Sequence, residues 1–334
     1  MKKIVIAIDS FKGCLGTHDL ADAIEKGIRK VCPECLVCKL PIADGGEGTA
    51  DILTQALGGE RTTCQVDGPL RTPVEATYGW IPQRKMAIID MASASGLPLI
   101  PWAEGNVMHT TSYGTGQLIA DALQHGCQRI LLGIGGSATN DAGVGMLQAL
   151  GFHFLDKNGE EIGDGGICLS QIAQVDTSQV LPQLKTCIIE VATDVRNPFY
   201  GKNGAAFVFA PQKGANPKQV QLLDEGLRSF AQLIQTEFGI DLQSIAGSGA
   251  AGGLGGGCVV FLKAHLSSGI DKVKEYIHFD QIIQDADLII TGEGKVDQQT
   301  SQGKVVDGII QSARTYQIPV IVLTGNCIEE NEDI

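Results

Sequence analysis

One recurring unit constrains this chain most: a short apolar run, a loop of glycines and acids, then helical periodicity. Residues 4–8 run into DSFKG (9–13), 37–42 into ADGGEGT (43–49), and 286–290 into TGEGKVD (291–297). Helical spacing follows from Thr17, over 50–57 and over 304–316, and 320–323 reads as a last strand. Strand, loop and helix in that order imply a parallel sheet. The middle differs. Residues 61–66, 74–80 and 86–91 read as strands parted by Pro and Gly turns. A helix at 118–123, a strand at 130–134, a helix at 144–150, a strand at 188–192 and a long helix at 219–236 follow. Residues 247–257 hold too many glycines for an ordinary helix interior. The expected fold is α/β with two domains. A Rossmann-like, doubly wound parallel sheet takes residues 1–66 and 285–334 from both chain ends. An inserted α/β domain with a mixed sheet takes 67–284.

The 334 residues suffice for two domains and a large core. Aromatics make up 5% and glycines number 43, which suits many tight strand–helix turns. A formal charge of −13 argues against nucleic acid or an anionic membrane as partner, while leaving room for a locally positive site. The opening MKKIVIAID meets an acid too soon for a signal peptide, and no run is long enough to span a membrane. The cytoplasm is therefore the expected compartment, with the ten cysteines mostly reduced. Cys32, Cys35 and Cys38 have a metal-like spacing, but no fourth cysteine follows nearby and Pro33 intervenes. They read as small side chains around a turn and strand.

The chemistry is concentrated in the loops. LLGIGGSATNDAGVG (131–145) is an apolar run that empties into glycines before a helix-like segment. Such a turn exposes backbone N–H groups and makes an anion site, here most naturally for phosphate. A rival reading exists. Gly133, Gly135 and Ala138 fit a dinucleotide fingerprint, with Asp156 where a ribose-binding acid would stand. That reading gives a nicotinamide-dependent oxidoreductase of a small hydroxy acid. Asp9, Asp44, Asp194, Glu293 and Asp297 each follow an expected strand, at the edge where parallel sheets bind ligands. In 43–49, Gly45, Gly46 and Gly48 admit a ligand to the backbone, and Asp44, Glu47 and Thr49 offer oxygens for a polyhydroxylated substrate or hydrated magnesium. Lys12 could neutralise a carboxylate or a phosphate, Glu293 and Asp297 could hold a metal, and Lys295 and Lys304 could lie near phosphates. No P-loop, protein-kinase signature or nucleophile elbow occurs, and His153, His265 and His278 stand alone.

Taken together, DSFKG, PIADGGEGT, TTSYGTG, GIGGSATNDAG, PQKGA, AAGGLG and TGEGKVDQQT resemble the signatures of the type 1 bacterial glycerate kinases, in that family's order and over nearly the whole chain. The resemblance implies transfer of the γ-phosphoryl of ATP to D-glycerate with Mg2+, usually giving 2-phosphoglycerate, in a cleft between two α/β domains. It implies a monomer or homodimer with small-molecule partners. The site expected for such a reaction has Asp194 as base and Lys12 on the substrate carboxylate. Asp9, Ser10, Asp44, Gly45, Gly46, Glu47 and Thr49 would surround glycerate. Gly135, Gly136, Ser137, Thr139, Asn140, Lys213 and Lys295 would hold phosphates, and Asp141, Glu293 and Asp297 magnesium. Asp90, Ala142, Thr193 and Lys295 stand where the family commonly has Glu, Gly, Cys and Arg. The family also continues beyond 320–323 with further strand and helix, whereas this chain ends at Ile334. A non-catalytic sugar-acid sensor derived from such a kinase is a further alternative.

Overall fold

The computed structural model describes residues 2–11, 14–101, 107–296 and 305–327. The chain opens with β1 (Lys3–Ile8), α1 (Thr17–Val31), β2 (Leu36–Lys39) and α2 (Thr49–Ala56). β3 (Glu60–Asp67), β4 (Pro73–Ile81), β5 (Met86–Asp90), α3 (Ala92–Ser95), α4 (Tyr113–Gln124), β6 (Arg129–Gly133) and α5 (Val144–Ala149) follow. Next come β7 (His153–Leu155), β8 (Gln174–Asp176), β9 (Ile188–Ala192), α6 (Ala205–Phe209), α7 (Pro217–Phe238), α8 (Leu254–Leu262) and β10 (His265–Ser267). α9 (Gly269–Tyr276), α10 (Phe279–Ile283), β11 (Leu288–Val296), α11 (Val305–Thr315) and β12 (Val320–Cys327) complete it.

Both chain ends build one four-stranded, all-parallel sheet in the order β12-β11-β1-β2. The second sheet is mixed, β10-β9-β6-β5-β4-β3, with the β3–β4 and β4–β5 pairs antiparallel and the other pairs parallel. The α/β class and the discontinuous first sheet agree with the sequence reading. Alternation along β1 explains the layering. Val5 and Ala7 enter a core shared with Ile88, Leu131 and Ala192 of the second sheet. Leu53 of α2, Val273 of α9, Phe279 of α10 and Ile309 of α11 fill the space between. Ile6 and Ile8 point the other way, onto Leu20 and Ala21 of α1. The far face of the second sheet packs on α4, α5, α7 and α8 through Leu118, Leu147, Phe230 and Leu254.

Four expectations change. β3 belongs to the second sheet, because the turn at 68–72 folds it against β4, so the division at 66/67 does not follow sheet membership. β11 runs on through the expected loop 291–296, because β12 keeps pairing with it as far as Cys327. Three of the glycines in 247–257 lie inside α8. A Cβ at Gly257 would come 2.3 Å from the Ala142 oxygen, and one at Gly256 2.8 Å from the Phe199 ring, so close packing offsets the poor helix propensity. Finally, Cys32 and Cys35 form a disulfide, since the turn after α1 brings their Cα atoms to 5.5 Å. No described helix is long and apolar enough to cross a membrane.

Candidate active site

The two sheets meet at the carboxyl ends of their parallel strands. Three loops make that junction, and glycines let their backbones touch. Gly45 takes φ +82°, and a Cβ there would come 3.0 Å from Ala192 and from Gly269. One at Gly133 would come 2.7 Å from the Gly45 oxygen, and one at Gly135 2.8 Å from the Gly46 Cα. Thus two glycines of the 133–138 stretch serve backbone-to-backbone contact with the loop after β2. Gly136, at φ +72°, makes the turn itself.

Behind that turn sits Lys213, only 5% exposed. Its Nζ donates to Ser137 Oγ (2.8 Å) and to the Thr139 carbonyl (2.6 Å), both neutral acceptors. Burial pushes its pKa down to about 7, against the pull of Asp141. Asn140 is fully buried with both amide heteroatoms unpartnered, and Thr139 Oγ1 is likewise unpartnered. Buried polar atoms in that condition are costly and point to a polar occupant. The loop therefore combines a half-compensated cation with unused donors, as a phosphate would require.

Asp141 does not join that set. Its Oδ2 accepts from Ser112 N (2.8 Å), Ser112 Oγ (2.7 Å) and Gly145 N (3.3 Å), and its Oδ1 from Gly143 N (3.1 Å). These bonds cap α5 and tie it to the start of α4, so the expected metal ligand is a structural cap. Burial raises its pKa. The rival dinucleotide reading fails on position. After β6 the next α-helix begins only at Val144, and Asp156 lies in the turn after β7 of a separate two-stranded sheet, where it accepts from Asn158 N and Glu160 N.

Asp194, following β9, accepts from Gly269 N at 2.9 Å, at the start of α9. Burial lifts its pKa to about 6, and the charge of nearby Asp44 adds to the rise. Asp44 accepts from Gly46 N (2.9 Å), Glu47 is exposed, and Thr49 is buried with its hydroxyl unpartnered. Asp9, largely buried, takes Ser10 N on Oδ1 (2.6 Å). Its own N–H donates to Gly292 O (3.1 Å), which places it beside Glu293 at the end of the first sheet. Lys12, Asp297, Lys304 and the side chain of Lys295 lie outside the described residues.

The sequence reading missed Asp90, the last residue of β5. Its carboxylate accepts from Gly48 N (2.9 Å) and Ala50 N (3.1 Å), across from one sheet to the other. Burial pushes its pKa up to about 7. Its signal was present: it is an acid closing a buried strand, like the five that were singled out.

A glycine loop over a buried lysine, facing strand-end carboxylates in an α/β fold, has the make-up of a small-molecule phosphotransferase. Residues 4–334 match the model of the glycerate kinase family. The glycerate kinase of Halalkalibacterium halodurans is 49% identical over 98% of this chain and 86% of its own length. The glycerate 2-kinase of Escherichia coli is 44% identical over 98% and 86%. A solved structure from Salmonella typhimurium LT2, described as a glycerate kinase 2, superposes with a TM-score of 0.89 at 46% identity, covering 97% of this chain and 87% of that one. The chain belongs to the glycerate kinase family, whose members are phosphotransferases.

Proposed function

We propose that this protein phosphorylates D-glycerate with ATP and Mg2+, giving 2-phosphoglycerate, at the junction of the two sheets. The observation that carries the reading is Lys213, a buried lysine hydrogen-bonded beneath the 135–140 loop to two neutral acceptors, with the charge of Asp141 too little to offset its burial. An ATP phosphate on that loop would supply the missing charge and engage Asn140 and Thr139. Glycerate lies against Asp9, Ser10 and the 44–49 loop, with Lys12 toward its carboxylate. Asp194, raised to about 6, accepts the proton of the attacking hydroxyl. Phosphoryl transfer asks chiefly for such positioning and charge neutralisation. A hydrated Mg2+ needs one or two carboxylates besides phosphate oxygens, and the proposal assigns it to Glu293 and Asp297 ahead of Asp141, whose oxygens already accept from Ser112 and the amides at the start of α5. Bound there, it would neutralise charge on the transferring group. The same proposal takes the protein to be a cytoplasmic kinase of small soluble substrates, monomeric or homodimeric.

The test is ATP turnover with D-glycerate, with L-glycerate as control and phosphorus NMR of the product. Stereospecific 2-phosphoglycerate supports the proposal. Binding without turnover favours the sensor alternative. Asp194→Asn should lower turnover by roughly 10²–10⁴-fold while glycerate still binds. Near-normal turnover in that variant removes Asp194 from the role.

A further inference from the structure

α2 begins without a cap of its own. Its N-cap, Gly48, has a left-handed backbone (φ 93°) and no side chain. The neighbouring donors Gly48 N and Ala50 N are met instead by Asp90, 42 and 40 residues away. A Ser, Thr or Asn at the cap position would do this locally without burying a charge. The chain uses a remote carboxylate, 8% exposed and close to the charges of Asp51 and Glu47, which raise its pKa further. What the remote acid provides is a connection. The first half of the 44–49 loop is fixed by Gly45, wedged against Ala192 and Gly269, and by the Asp44–Gly46 bond. The second half is fixed by Asp90. The same carboxylate lies over the start of the phosphate loop, where a Cβ at Gly133 would come 3.0 Å from Asp90 Oδ1.

We infer that Asp90 is a positioning residue for the acceptor substrate: it holds the 44–49 loop in its binding shape and in register with the phosphate loop. This rests on the reading of 44–49 as the glycerate loop. Both Asp90 oxygens are engaged by the Gly48 and Ala50 amides, so its loss acts through the loop. A loop ordered in only a fraction of molecules must be ordered by the substrate itself, which weakens apparent affinity by that fraction. Once glycerate and ATP are bound, the loop is in place and turnover is nearly normal.

Asp90→Ala should therefore raise KM for D-glycerate about tenfold, with kcat changed less than about twofold and KM for ATP unmoved. Asp90→Asn, which keeps an acceptor at the same place, should lie between Asp90→Ala and the native protein. Hydrogen exchange at the Gly48 and Ala50 amides should quicken in the same order, and this readout needs no turnover. Should the native protein fail to phosphorylate glycerate, the substrate reading falls, while faster exchange confined to residues 46–50 still upholds the positioning role. Unchanged exchange and unchanged KM in Asp90→Ala would overturn it, as would a fall in kcat at constant KM. Poor folding of Asp90→Ala leaves the decision to Asp90→Asn, where equal KM and equal exchange would also overturn it.

Discussion

Lys213, Asp194 and Asp90 show at the scale of single residues how burial sets the chemistry. Lys213 is largely neutral above pH 7, and a bound phosphate would restore its charge. ATP binding at pH 8 should consequently take up a proton, seen as a dependence of the calorimetric enthalpy on buffer ionisation. Lys213→Met should abolish that uptake and weaken ATP binding about 10–100-fold, the worth of a charged hydrogen bond. For Asp90 the sign runs the other way from an ordinary salt-bridged acid. Its folded pKa, about 7, exceeds the ordinary value of 3.8. The native state therefore binds the proton more tightly, and stability falls as pH rises from about 4 to 7. Asp90→Asn escapes that loss, so its melting temperature should gain on the native protein's across this window. The Lys213 motif was legible because PQKGA is a recognisable string. The role of Asp141 was not, because TND does not reveal that the carboxylate turns inward to Ser112 and the α5 amides.

At the scale of elements, α9 carries the site from behind. Glu190 of β9 accepts from Lys272 Nζ (2.6 Å) and Tyr276 OH (2.7 Å) on α9, and from Arg129 of β6 (3.3 Å). Burial pushes Glu190 upward, but the bonds from Lys272 and Tyr276 outweigh this and leave its pKa lowered. The first N–H of the same helix holds Asp194. Glu190→Gln should cost about 2 kcal/mol, as expected for charge-assisted hydrogen bonds, read by chemical denaturation. Tyr276→Phe should cost about 1 kcal/mol. The double variant should cost less than the sum, since both act in one network. In α8, Gly257→Ala would drive a methyl into the Ala142 carbonyl and should destabilise by about 1–3 kcal/mol. Most elements were legible from periodicity alone, including the long α7. The exceptions have a common cause. β11, β3 and α8 are extended, reassigned or closed down by partners distant in sequence, namely β12, β4 and the Ala142 backbone.

For the whole molecule, the discontinuous first sheet could be read from the shared pattern of the chain's two ends, but the way the sheets meet could not. Glycines 133 and 135 look like ligand-facing residues, and the structure spends them on contact with the 45–46 backbone. That discontinuity also sets a timetable for making the protein. The second sheet uses one unbroken stretch, from Glu60 to Ser267. The first sheet cannot be completed until β11 reaches β1, a meeting marked by the bond from Lys3 N to the Asp287 carboxylate across 284 residues. At ordinary synthesis rates of about 5–20 residues per second, β1, with β2 already beside it, waits roughly 15–60 s for β11. During that interval the second sheet gathers its strands in turn, β10 emerging only shortly before β11, while the edge of β1 that β11 will cover stays open to solvent.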